Sequence, residues 1–349
     1  MSFFKNLGIK GKLAIVLMVA GILPALAIDV ALIQKKEVIE KGFVTNLREQ
    51  AVGMGDIIDR NLFERYGDVQ AFGYNTAAHD SANWRNPVAG NPLVTAMNNY
   101  TRAYGLYPLM LLLDLDGNVL ATNTIDAKGN AVETDFLYKE NFSDNLWFSS
   151  ARDGKFSQGR NGFTGTYIGN PERNKLVAQI YGDDGYVIPF AAPVNNTQGE
   201  TVGVWVNFAE MKLVEDIIGT ARQQIIDAGI QEPDLMIIDS TGTVLVDYDP
   251  AGMNEDGTLK HDWENLLVKN FVDMKLEPAL EAVKGEKGIW KGYSPDSGQE
   301  DIFAYAHMNG AYDYTGLGWS VIMSVDPKDA LHAVNALEHD MLWIQLGIT

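Results

Sequence analysis

Cysteine is absent from the 349 residues. That excludes a disulfide framework, a thiol nucleophile and any thiolate metal site. It does not fix the compartment, because a protein facing an oxidising space can simply avoid thiols. Basic residues are scarce: 27 Lys and Arg stand against 46 Asp and Glu, a formal net charge of -19. Such a surface repels a phosphate backbone, which argues against nucleic acid as a partner. Otherwise a surplus of carboxylates keeps a surface soluble or favours cationic ligands. The motifs of hydrolytic chemistry are missing too. The histidines, His79, His261, His307, His332 and His339, show no H-x-x-x-H or H-E-x-x-H spacing, so a zinc hydrolase has no support. Neither G-x-S-x-G nor G-x-x-x-x-G-K-[S/T] occurs. With no nucleophile–base pair and no metal constellation, the expectation is a protein that is not an enzyme and carries no cofactor.

What is present starts with a hydrophobic fraction of 46% and a length that suits two domains. Leu13 to Ile33 is an apolar run (LAIVLMVAGILPALAIDVALI). Roughly 20 residues span a bilayer as a helix. Lys5, Lys10 and Lys12 precede the run, which keeps that end in the cytoplasm. Pro24 is tolerable in a membrane helix, and Asp29 lies near the far end, within reach of the interface. A cleaved signal peptide fits less well: the run is long, and Ala25 to Ala27 is a weak cleavage match. The expected order is a cytoplasmic tail (1–12), a transmembrane helix (13–33) and an extracytoplasmic remainder.

From Gln34 to about Tyr74, apolar residues recur at helical spacing: Val38, Leu47, Ala51, Met54, Leu62, Val69 and Phe72. This predicts a stalk (34–78) that stands tall and pairs with a second copy, as one helix or as two broken near Gly53-Met54-Gly55. A turn-rich loop, Asn83 to Pro92, follows. Beyond it lies an internal repeat. Leu111-Leu112-Leu113-Asp114-Leu115-Asp116-Gly117 resembles Met236-Ile237-Ile238-Asp239-Ser240-Thr241-Gly242, and each predicts a hairpin. Pro189–Val194 pairs with Ile302–His307, and Gly203–Asn207 with Gly318–Ile322. Each member of the last pair leads into a helix, Val214–Ala228 and Pro327–Leu337. Three matches in one order predict two copies of an α+β unit. Met341 to Ile348 is a short apolar run that reads as the start of a second membrane helix.

Together these features resemble the double Cache sensor domain of bacterial methyl-accepting chemotaxis proteins, over nearly the whole chain. Local stretches carry the likeness: Phe63 to Phe72 in the long helix, Trp147-Phe148 followed by Ala151, and Tyr312-Asp313-Tyr314 with Gly316-Leu317-Gly318-Trp319. The resemblance implies an α+β fold: a transmembrane helix, a long stalk helix and two tandem PAS-like units with antiparallel sheets. The membrane-distal unit would span 79–222 and bind the ligand. The proximal unit would span 223–326, and 327–349 would lead back into the membrane.

The resemblance also implies a pocket in the distal unit. Where amino-acid sensors place an Arg two positions before the Trp, this chain has Asn145. Tyr167 matches the pocket tyrosine, but the acid two places on is Gly169, and the late-strand Asp is Asn207. A ligand carboxylate thus loses its bidentate partner, and an ammonium loses its counter-ions. Trp147, Phe148 and Tyr167 remain as aromatic walls, or as ordinary core. Tyr181, Asp183 and Asp184 lie in a loop that either meets an amine or is an exposed turn. Tyr138 is a weaker candidate. Asp114–Gly117 and Asn254–Gly257 lack full calcium-loop spacing and read as turns, as does Asn195-Asn196-Thr197 with Gly199.

The expected function is ligand sensing in chemotaxis: a homodimer, anchored in the inner membrane, binds a planar or cationic small molecule outside the cytoplasm. It would signal to cytoplasmic partners through a part absent from this chain. The rivals are the same sensor on a histidine kinase or diguanylate cyclase, a membrane-tethered hydrolase, and a structural module.

Overall fold

The computed structural model describes residues 8–88, 90–156, 165–230, 233–248, 259–294 and 298–328, without the side chains of 20–29, 31–33, 36 and 37. The tail 1–7, the Asn254–Gly257 turn and everything after residue 328 lie outside it. So do most of the expected closing helix and the second apolar run. Its start is described: Pro327 and Lys328 are helical, and Asp326 Oδ1 caps them by accepting from Lys328 N at 2.7 Å.

Helix α1 runs unbroken from Ile9 to Gly73, 65 residues and about 100 Å at 1.5 Å per residue. Of the two alternatives, the single helix holds, and there is no break near Gly53 and Gly55. Leu47, Ala51, Met54, Ile58, Leu62, Tyr66, Val69 and Phe72 form one buried stripe at spacings of three and four. Burial of that stripe outweighs the helix cost of two glycines, about 1 kcal/mol each. Gly55 also has a packing role, since a Cβ there would sit 3.0 Å from Met308 Cγ. Among the described residues no helix is long and apolar enough to cross a membrane. Leu13, Val16, Leu17, Met18 and Val19, at the start of the apolar run, are exposed.

After the single turn α2 (Thr76–His79) and helix α3 (Pro92–Tyr104), the chain builds a first antiparallel sheet. Its long strands are β5 (Tyr186–Asn195) and β6 (Thr201–Glu210). Its others are β1 (Leu109–Leu113), β2 (Val119–Thr122), β3 (Tyr167–Ile168) and β4 (Glu172–Arg173). The order is β2-β1-β6-β5-β3, with β4 also on β5. Helices α4 (Leu146–Arg152) and α5 (Lys175–Tyr181) belong to this N-terminal unit. Helix α6 (Lys212–Asp227) leads to the second sheet.

That sheet holds β7 (Asp234–Ile238), β8 (Val244–Tyr248), β9 (Lys287–Tyr293), β10 (Glu300–His307) and β11 (Ser320–Val325), with α7 (Glu277–Ala282) beside it. The order β8-β7-β11-β10-β9 repeats that of the first sheet, so each pair of segments matched in the sequence occupies equivalent strands. The hairpins match down to the side chains. Asp114 Oδ1 accepts from the N–H of Asp116 and Asn118, and Asp239 Oδ1 from those of Thr241 and Thr243. Gly117 and Gly242 hold φ of 84° and 92°, where a side chain would be strained. These aspartates are turn formers. Asn196 builds the same turn with Gly199.

One face of each sheet packs on α1, and the helix is also pinned to each unit by polar contacts. Gln70 Nε2 donates to Thr166 Oγ1 at 3.0 Å, and Gly165 N donates to Gln70 Oε1 at 3.1 Å. In the C-terminal unit, Gly310 N donates to Asp59 Oδ2 at 2.7 Å.

Candidate functional site

The face of the N-terminal sheet turned away from α1 carries most of the predicted residues. Side chains alternate along a strand, so Val204, Val206 and Phe208 of β6 point to this face and Trp205 to the other. Helix α4 lays Trp147 and Phe148 onto it. The Trp147 ring lies 5.7 Å from Phe208, edge to face, and 5.6 Å from Phe142. Both α4 aromatics are buried, Phe148 completely. Tyr167 pairs with Ala191 and packs on the same cluster, as do Tyr138 and Tyr181. Burial raises the pKa of all three phenols, which stay neutral donors. Tyr181 Oη donates to Pro108 O at 2.8 Å. Asn145 sits half-buried at the N-cap of α4 without capping through its side chain. Residues 157–164, between α4 and β3, are not described.

Asn207 does not join this group. Its parity on β6 is that of Trp205, whose Nε1 donates to Asn207 Oδ1 at 2.8 Å. The expected pocket role fails for a geometric reason: Asn207 lies on the α1 side, fully buried, with no partner for Nδ2. Gly169 shows why no acid occupies that position, since a Cβ would fall 2.5 Å from Pro189 Cγ.

Asp183 and Asp184 are also elsewhere. They open onto a cleft of about 880 Å³ between the two units, with Glu210, Lys212, Glu215, Asp216, Tyr248 and His261 in its walls. Burial, then the nearby charge of Asp183, pushes the Glu210 carboxyl up to about 7. Lys212 is engaged with Asp216. His261, from the C-terminal unit, reaches Asp184 and Glu215 at once. Its ring stands 5.3 Å from Tyr186 and 5.1 Å from Trp263, and Arg173 lies over Trp263 at 4.3 Å. Sequence reasoning missed this junction. His261 is 77 residues from Asp184 and 46 from Glu215, so no spacing motif signals it. Among the described residues no group of three or more His, Cys, Asp or Glu is arranged to hold a metal ion. The junction can bind protons and attract cations.

No family model matches the sequence, and no curated protein matches it. Solved structures do. The extracellular domain of a histidine kinase aligns with 85% of this chain and 96% of its own, at 12% identity and a TM-score of 0.55. The ligand-binding domain of the Pseudomonas aeruginosa amino-acid chemoreceptor PctB, in complex with L-Arg, aligns with 83% of this chain and 97% of its own, at 14% identity and 0.52. A domain of a Vibrio parahaemolyticus sensory box/GGDEF family protein aligns with 84% of this chain and 99% of its own, at 13% identity and 0.53. The chain has the tandem-sheet fold of the double Cache domains found in chemoreceptors and sensor kinases.

Proposed function

We propose that this chain is the ligand-sensing region of a membrane-anchored chemoreceptor, held outside the cytoplasm by the apolar start of α1. A planar or cationic small molecule binds the N-terminal (distal) unit against Trp147 and Tyr167. Binding shifts a dimer between two arrangements already in equilibrium, and α1 carries the displacement inward. One observation carries the reading: more than four fifths of the chain shares its architecture with ligand-binding domains of chemoreceptors, covering those domains almost end to end. An α-amino acid is a poor candidate, because Asn145 and Gly169 offer no charged clamp. The same sensor on a histidine kinase or a diguanylate cyclase is the second reading. It is favoured by the kinase and GGDEF proteins among the similar structures.

The test is a thermal-shift screen against amino acids, amines, purines and organic acids. A ligand at 100 times its Kd adds about 2.7 kcal/mol of stability. A hit lost in Trp147→Phe and kept in Asp184→Ala supports the distal site. The opposite pattern moves binding to the cleft. No hit across the panel removes direct sensing of these ligand classes.

A further inference from the structure

We propose that His261 is a proton-binding site that ties the two units together, so that the domain responds to pH as well as to any ligand. Its Nδ1 lies 3.0 Å from Asp184 Oδ2, and its Nε2 lies 2.9 Å from Glu215 Oε1. A carboxylate has no proton to give, and a neutral imidazole has a single N–H. Short contacts from both ring nitrogens to two carboxylates therefore call for the imidazolium, which donates twice. Losing the proton must break one of the two bonds.

The three residues come from separate parts of the fold. Asp184 sits between α5 and β5 in the N-terminal unit, Glu215 on the first turn of α6, and His261 in the C-terminal unit between β8 and α7. The charges packed around the ring reinforce the effect. Asp183 and Glu210 share the cleft, and both add negative charge when ionised. Asp216 is met by Lys212. Arg173 stands 3.9 Å from the second oxygen of Asp184 and is also stacked on Trp263. Tyr186 touches the ring edge-on, and its hydroxyl donates to Leu245 O at 2.8 Å. The deprotonated junction thus keeps its carboxylates and loses the cation between them, and like-charge repulsion then favours a wider cleft.

Burial alone lowers the pKa of His261. The hydrogen bonds and charges of Glu215 and Asp184 outweigh it, and the net shift is upward from 6.5. A histidine with a higher pKa folded than unfolded adds stability that is complete below the unfolded value. That stability fades as pH rises through the folded one. The tie is therefore closed below the ordinary histidine pKa and loosens as pH rises above it. The proton site stands whether or not the N-terminal unit binds a ligand.

The experiment is an NMR titration of the full chain in mild detergent, labelled at histidine, from about pH 5 to about pH 9. The His261 signal is identified by its loss in His261→Gln. Its midpoint is expected above 6.5 and is expected to fall in Glu215→Gln and in Asp184→Asn. In thermal unfolding, the Tm advantage of the native chain over His261→Gln should be full below about pH 6.5 and shrink as pH rises above it. A midpoint at or below 6.5, or a Tm difference that stays flat with pH, overturns the proposal. If His261→Gln does not fold, the signal that moves in both Glu215→Gln and Asp184→Asn identifies the residue. The absence of any such signal overturns it as well.

Discussion

The two units share one strand order but fill their outer faces differently. In the N-terminal unit, α4 and α5 press Trp147, Phe148 and Tyr181 onto the sheet, beside Tyr167 of β3. In the C-terminal unit the same face is closed by Phe271, Leu276, Ala279 and Ala282, with Trp290 and Phe303 in contact at 5.5 Å. The central strands differ as well: β5 and β6 are ten residues each, against eight and six for β10 and β11. The longer strands and the aromatic cluster give the first unit the larger outer face. The second unit is the smaller packed counterpart.

Four measurements would break or sharpen that contrast. Trp147→Ala and Phe303→Ala each empty a buried aromatic site and should cost about 3–5 kcal/mol in denaturant unfolding. Only the first should also abolish a ligand-induced thermal shift; if both do, the units do not divide the labour. Asp59→Asn acts in the opposite direction. Burial, partly offset by the Gly310 N–H bond, raises the Asp59 pKa from 3.8 to about 6. A carboxyl raised in this way destabilises the folded state above that pH. The variant should gain up to ~3 kcal/mol near pH 7 and nothing below about pH 4, as read from Tm against pH. Gln70→Ala removes two of the hydrogen bonds between α1 and the N-terminal unit and should cost about 1–3 kcal/mol, leaving the Gly165 N–H unpaired. Hydrogen exchange should report the loosening at Gly165 and Thr166 rather than in the second sheet. Gly55→Ala exchanges a helix-propensity gain of about 1 kcal/mol for crowding against Met308, so the net change should stay under ~1 kcal/mol. A larger loss would show α1 seated more tightly on the second unit than the flexible Met308 side chain implies.

The repeat was legible in the sequence because its signal is local. An Asp that bonds two N–H groups ahead of it and a Gly at positive φ write a hairpin into five residues, twice. The long helix was legible from its apolar spacing. Its passage through Gly53 and Gly55 was not, because the burial that overrides glycine comes from residues some 250 positions later, Met308 among them. The aromatic face was found through Trp147 and Tyr167. Asn207 was misplaced although its parity with Trp205 was there to read, since residues two apart on a strand share a face. The His261 junction was invisible, because three chain segments meet there with no shared pattern.

Asp59 and Gln70 stand eleven residues apart on α1, about three turns, and so leave the rod on nearly the same side. One grips the second unit and the other the first. A beam held along one edge by these bonds, and by others such as Tyr107 Oη to Asp68 and Arg60 to Tyr312, keeps its supports at a fixed separation. The two units cannot spread along its length unless the bonds to one of them open.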